Sequence, residues 1–318
     1  MTADDGLQAS IDKMRAEGVG EAAIDTFAHY YEQLREGASG MLPESEIEPV
    51  TDLPALEDLA EPDPSDLESA VVVKLNGGLG TSMGMTRAKS LIEAKDGLTF
   101  LDIVEGQVLA LRERHGARLP LVLMDSFATR EDSLTALERH PEIGSDVPPD
   151  FLQNKVPKIA AEDLQPVSWP ADPSLEWAPP GHGDLYTALV TSGMLDTLRE
   201  HGYRYAFVSN SDNLGAVLEP RILSWVAREE IPFVMEVARR TEADRKGGHV
   251  ARQGDRFLLR ETAQTPEEDL EQLQDVGRHR YVNTNNLWVD LEALRTTLDA
   301  RDGVLGLPII VNRKTVDP

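Results

Sequence analysis

The feature that most limits what this chain can fold into is the junction Val71-Val72-Val73-Lys74-Leu75-Asn76-Gly77-Gly78. A short β-branched run reads as a strand buried on both faces, as in a parallel sheet. It passes straight into glycines, where backbone N–H groups can approach a phosphate or a base edge without Cβ interference. Downstream, helical and strand patterns alternate. A helix is expected over about Phe100–Arg114, a strand over Leu119–Met124 and a helix over Arg130–Arg139. Pro141–Pro180 reads as irregular, with one strand near Lys158. One amphipathic helix is expected over Asp184–Glu200, then strand Tyr203–Val208, helix Arg221–Glu229 and strand Ile231–Val237. A hairpin turning at Gly254-Asp255 fits Gly248–Glu261, and strands fit Val282–Val289 and Pro308–Val311. The fold class implied is α/β: a mainly parallel mixed sheet with helices on both faces. Ligands of such sheets lie beyond the carboxyl ends of the strands.

The N-terminal region has another character. Met1–Gly37 reads as two helices with stops at Gly18 and Gly37. Ala38–Glu68 is rich in proline and acid and reads as an extended connector. Of the formal net charge of −25, most lies here: 3 basic against 18 acidic residues in Met1–Ala70, and 28 against 38 in the rest. This divides the chain into residues 1–69, an acidic helical segment and connector read as a solvated appendage, and residues 70–318, the catalytic unit. Such a surface repels nucleic acid and anionic membrane. The 318 residues contain no cysteine, which excludes disulfides, thiolate metal sites and a thiol nucleophile. No apolar run reaches membrane-spanning length and the N-terminus shows no signal peptide, so a cytoplasmic enzyme is expected.

Three readings compete for the glycine loop Leu75–Gly84. Gly78, Gly80 and Gly84 give a loose dinucleotide-binding fingerprint, but no second strand follows soon enough to supply the ribose-binding acid. Gly84 with Lys89-Ser90 approaches a P-loop, but Ala88 stands where glycine is needed. The third is the loop of a sugar-nucleotide pyrophosphorylase, with Lys89 reaching a triphosphate. A glycine turn without function accounts for the loop equally well when it is taken alone.

Other segments supply polar chemistry. His182 sits between Gly181 and Gly183 at a helix start, where anions are attracted. Ser209–Gly215 (SNSDNLG) follows a strand, so Asp212 suits a hard cation such as Mg²⁺; an Asx turn explains it as readily. Lys246-Gly247-Gly248 and the Asn-rich run Asn283–Trp288 offer backbone and amide groups suited to sugar hydroxyls.

Taken together, these segments resemble the eukaryotic-type UTP–glucose-1-phosphate uridylyltransferase family. The matching pieces are KLNGGLGTSMG, Lys89-Ser90, LTFLDI, LMDSF, PPGHGDLY, FVSNSDNLG, FVMEV, KGG, NTNNLW and IIVNRKT, collinear from about Ala70 to Pro318. The resemblance implies a Rossmann-like, GT-A-like nucleotide-diphospho-sugar transferase fold with an N-terminal helical appendage. It implies a Mg²⁺-dependent reaction of UTP with glucose 1-phosphate giving UDP-glucose and pyrophosphate. By the same resemblance, Leu75, Gly77 and Gly78 hold the uridine, Gln153 lies near the uracil and Lys89 meets the UTP phosphates. Gly181 and His182 lie by the nucleotide and the sugar phosphate, and Asp212 binds Mg²⁺ with Asn210 beside it. Gly248, Glu261 and Asn285 contact sugar hydroxyls; Lys314 lies near the site without an assigned role. Arg87-Ala88 replaces the Gly-Pro usual in the family. The family pattern continues past Pro318 into a β-helix domain and includes a further active-site lysine. The resemblance therefore implies incomplete folding or weak turnover for residues 1–318 alone, and leaves a non-catalytic UTP or sugar-phosphate binding module as the alternative.

Overall fold

The computed structural model describes residues 3–79 and 87–316. Gly80 and Gly84, on which the dinucleotide and P-loop readings turned, and the TSMG stretch lie outside the described residues. The chain opens with α1 (Ala3–Ala16) and α2 (Glu21–Arg35), the two helices expected there. The connector carries a two-residue strand, β1 (Glu48–Pro49), before β2 (Ala70–Asn76). A small hairpin, β3 (Glu93–Lys95) with β4 (Leu98–Thr99), leads into α3 (Phe100–His115). Thr99 and Asp102 form a reciprocal capping box at its start, and Gly116 takes the left-handed conformation at its end, φ +66°. Then follow β5 (Leu121–Asp125), α4 (Arg130–Leu137) and β6 (Asp150–Leu152). β7 (Val156–Pro157) pairs with β8 (Trp177–Ala178). Next come α5 (Asp184–Thr191), α6 (Met194–Glu200), β9 (Tyr205–Asn210), α7 (Pro220–Arg228) and β10 (Phe233–Arg239). The hairpin of β11 (His249–Gln253) and β12 (Arg256–Arg260), α8 (Leu270–Leu273), β13 (Tyr281–Asp290) and α9 (Leu291–Asp299) complete the order.

The main sheet runs β1-β11-β13-β9-β2-β5-β6, with β10 on β13 and β12 on β11. Strands β9, β2, β5 and β6 are mutually parallel; β13 turns the direction, and every pairing beyond it is antiparallel. The expected α/β sheet is thus mixed, in two halves. Alternation along the parallel strands feeds two cores. Val72, Leu121, Leu123 and Phe207 face α3, α4 and α7. Val71, Val73, Val122 and Val208 face α5, α6 and α9. Helices therefore cover both faces. No described helix is long and apolar enough to cross a membrane.

Four expectations need correction. The single helix over Asp184–Glu200 is two, broken where Gly193 adopts φ +74°; the helical period of its leucines continues through a break that only backbone geometry reveals. Pro308–Val311 forms no strand. Its residues are exposed or half-buried and enter no ladder among the described residues. The stretch read as irregular but for one strand near Lys158 holds β7 there and also β6 and β8, each too short to show a period. The N-terminal region is also less solvated than its composition suggests: Met14, Ile24 and Tyr31 are buried in α1 and α2, and Ile47 and Val50 in the connector.

Candidate functional site

The carboxyl ends of the parallel strands meet at one edge. Leu75 at the end of β2 pairs in register with Asn210 of β9 on one side and Met124 of β5 on the other. Ser211 N–H donates to the Leu75 carbonyl at 3.1 Å. The chain leaves β2 through Gly77 and Gly78 and returns through a bridge between Leu79 and Ala88. Lys89 N–H then donates to the Gly78 carbonyl at 3.1 Å. This bridge carries Lys89 back beside the strand from which the loop departed. Its ammonium lies 3.8 Å from the Asp212 carboxylate, both side chains about 40% exposed. At that exposure the pair contributes little to stability; its interest is a cation and an anion held at one mouth.

Gln153 follows β6 and its backbone N–H donates to the Asp125 carbonyl at 2.8 Å. Its side-chain amide lies against Gly77, where a Cβ would collide with it. A side chain at Gly77 would have to push that amide aside, whereas Gly78 meets nothing closer than the Lys89 stem. The adjacent Asn154 donates from its backbone and its amide to the buried Asp184 carboxylate at 2.7 and 2.8 Å. Burial pushes the Asp184 carboxyl up, opposed by these bonds from Asn154. They tie the start of α5 to the Gln153 segment and set the turn of Gly181 and His182 beside it. Gly181 takes φ +101°. His182 is exposed and makes no side-chain hydrogen bond to the other candidates among the described residues.

The antiparallel half supplies the remaining candidates. The β10–β13 register slips at Glu236/Val237, leaving Thr284 and Asn285 as a bulge. Asn285, at φ +57°, donates its amide to Asn210 Oδ1 at 2.8 Å. Bulges re-aim side chains next to functional sites, and this one joins the two halves. Asn286 and Trp288 donate to the Glu236 carboxylate at 3.0 and 2.7 Å, anchoring the bulge from below. Gly248 packs so tightly that a Cβ would lie 2.5 Å from the Glu261 carboxylate. Asn283 donates to that carboxylate at 3.4 Å. The structure therefore joins Leu75, Gly77, Gly78, Lys89, Gln153, Asn210, Asp212 and Asn285 by direct contacts. Gly248 and Glu261 form a second contact group, reached through Asn283 and the bulge. Lys314 is exposed.

Sequence reasoning missed the polar floor. Lys74 is 1% exposed, and its ammonium donates to Ser209 Oγ at 2.7 Å and the Ala216 carbonyl at 2.8 Å, spanning the loop that carries Asp212. Burial lowers it to about 8, with Glu236 pulling the other way. Asn76 donates to Asp125 Oδ1 at 2.7 Å beneath the glycine loop. Burial raises the Asp125 carboxyl to about 6 although Asn76, Thr129 and Ser133 hydrogen-bond to it. The available signal was polar residues at positions whose strand neighbours are all apolar.

These strand ends, the glycine loop and the amide-rich bulge define a Rossmann-like nucleotide-diphospho-sugar transferase fold. A family model described as UTP–glucose-1-phosphate uridylyltransferase matches residues 24–318, and the chain belongs to that family. A UTP–glucose-1-phosphate uridylyltransferase of Hordeum vulgare is 37% identical over 98% of this chain and 67% of its own length. One of Solanum tuberosum is 41% identical over 79% of this chain and 52% of its own. Among solved structures, a UDP-glucose pyrophosphorylase variant from Leishmania major in complex with UDP-glucose superposes with TM-score 0.93, at 46% identity, covering 98% of this chain and 68% of that one. A UDP-glucose phosphorylase from Trypanosoma brucei gives 0.92 and 44%, covering 99% and 68%. The chain thus spans about half to two thirds of the length of these relatives.

Proposed function

We propose that this chain transfers a uridylyl group from UTP to glucose 1-phosphate, forming UDP-glucose and pyrophosphate. The observation that carries the reading is the Lys89–Asp212 pair, 3.8 Å apart at the joined ends of β2 and β9. The Leu75–Gly78 turn on one side and the Asn283 and Asn285 amides on the other flank it. In this reading the Leu75–Gly78 backbone and Gln153 hold the uridine, and Gly181 and His182 border the phosphates. Asn210, Gly248, Glu261 and Asn285 hold the sugar, so all these contacts come from residues 70–318. An oxygen of the sugar phosphate attacks the α-phosphorus of UTP, the bond to the β-phosphate oxygen breaks, and pyrophosphate departs. Positioning and charge stabilisation account for catalysis, with Lys89 facing the negative charge on the phosphates.

The donor set also bears on Mg²⁺. Among the described residues no group of three His, Cys, Asp or Glu forms a metal cage. One exposed hard carboxylate, Asp212, fits an ion held mainly by substrate phosphates and water. Bound there, Mg²⁺ would neutralise phosphate charge.

The deciding experiment measures pyrophosphate release by the 318-residue chain with UTP, glucose 1-phosphate and Mg²⁺, with Lys89→Ala as control. Release that vanishes in the variant supports the reading. UTP binding by calorimetry without release favours the second reading, a nucleotide-binding module.

A further inference from the structure

The sugar-side group Gly248, Glu261 and Asn283 is flanked by residues that all converge on one acid from the connector. Arg260 is fully buried and directly precedes Glu261. Its guanidinium donates to Glu44 Oε2 at 2.6 Å and more weakly to Asp269 at 3.3 Å. Arg278 donates to Glu44 Oε1 at 2.5 Å, and His279 Nε2 lies 3.1 Å from the same oxygen. His279 in turn stacks on His249, which follows Gly248, with ring centroids 3.7 Å apart and planes 27° apart. The backbone repeats the pattern. Leu42 N–H donates to the Gln264 carbonyl at 2.7 Å, Gln264 Oε1 accepts from Glu261 N–H at 3.1 Å, and β1 pairs with β11.

From this convergence we infer that Glu44 is a positioning residue for sugar recognition: it locks Arg260 and His279, and through them sets Glu261 against Gly248 and Asn283. The inference rests on the proposed function, since it assigns Gly248 and Glu261 to the sugar. The physical argument is one of satisfaction. A guanidinium with no solvent access must be paired where it lies, and loss of its main partner leaves a buried cation with one long bond. Because Arg260 and Glu261 are consecutive, a shift of the first moves the second. Among the described residues no equivalent link runs from Glu44 to Gln153, Gly77 or Lys89, so the uridine side is insulated. The connector that composition marks as a solvated appendage thus holds one wall of the substrate site.

The test is calorimetric titration of the full chain with UDP and with UDP-glucose. For Glu44→Gln, which keeps shape and removes charge, we expect the affinity gained from the glucose moiety to fall on the order of tenfold, while UDP affinity stays within about twofold. Glu44→Asp restores part of the gain. An unchanged ratio of the two affinities, or equal loss for both ligands, overturns the inference. If the Gln variant does not fold, amide exchange of the wild-type chain decides: UDP-glucose must slow exchange at Leu42 beyond what UDP does, and equal protection by both overturns the role. A wild-type chain that binds neither ligand overturns the proposed function itself. That outcome is distinct from the case in which wild type and variant favour UDP-glucose alike.

Discussion

Each half of the sheet packs against a glutamate, buried Glu105 or half-buried Glu44, and they treat it in opposite ways. Glu105, in α3 against the parallel half, is 1% exposed and neither carboxylate oxygen has a hydrogen-bond partner. Burial pushes it up to about 7. Burial would push Glu44 up as well, but hydrogen bonds from Arg278, His279 and Arg260 outweigh it and hold that carboxyl below the ordinary range. The parallel half tolerates an isolated acid because its order comes from a continuous backbone ladder and two apolar cores. The antiparallel half has a three-residue apolar core, Val50, Val250 and Tyr281, with a few partly buried neighbours. Its geometry depends on charges that satisfy one another. The end that carries the glycine loop is therefore built by topology, and the end that carries Gly248 and Glu261 by an ionic cluster around buried Arg260.

The contrast can be broken by experiment. The largest effect is expected at the mouth between the halves: Lys89→Ala should lower kcat/KM by about a hundredfold or more. Asp212→Asn should flatten the Mg²⁺ titration of activity, and a wild-type Mg²⁺ curve would remove Asp212 from that role.

The isolated acid comes next. Glu105 holds its proton more tightly folded than unfolded, so its ionisation penalises folding increasingly as pH rises from about 4.5 to 7. Glu105→Gln should be more stable than wild type at pH 8, by at most roughly 3 kcal/mol, with the gap closing near pH 4. Urea denaturation across pH reads this directly. Glu44 has the reverse sign: its depressed value contributes stability above the unfolded carboxyl range that is lost as pH falls through the folded value. The stability of Glu44→Gln should accordingly approach that of wild type on acidification.

The two tight glycines separate the halves at a smaller scale. Gly77→Ala displaces the Gln153 amide and should raise KM for UTP roughly tenfold. Gly248→Ala presses on the Glu261 carboxylate and should do the same for glucose 1-phosphate. Equal effects of either substitution on both substrates would dissolve the division. The smallest effect is expected at the surface. Arg199 pairs with Glu292 at 2.7 Å with both side chains partly exposed, so Arg199→Ala should cost a few tenths of a kcal/mol. A loss comparable to that from disrupting the pair of Glu44 with buried Arg260 would show that burial is not what separates the two clusters.

How far the sequence could be read follows the same line. Elements written in adjacent residues were legible: the valine strand with its glycine exit, the Gly254-Asp255 turn, and the helix after Leu98–Thr99, whose cap is four residues long. On the parallel side, candidate residues fell at strand ends, where an α/β sheet collects them whatever its detailed packing. Harder to read were features that depend on distant partners. The Asn285 bulge exists because the β10–β13 register slips, and Lys74 is tolerated inside because Ser209 and Ala216 receive its protons. Glu44 looked like one more acid in an acidic, proline-rich stretch.

By itself, then, the sequence determined the α/β class, the order of most elements, the glycine loop and the pool of polar residues facing the site. Each of these follows from short-range sterics and periodicity. Tertiary structure alone decided that Lys89 returns to Asp212, that a helix-like run breaks at Gly193, that Pro308–Val311 stays out of the sheet, and that Glu44 of the acidic connector meets Arg260 beside Glu261. The reason is the same throughout. A β-branched run becomes a strand only where a neighbour offers a ladder, and a buried charge persists only where a distant opposite charge meets it. Neither partner is written within reach of the residue that needs it.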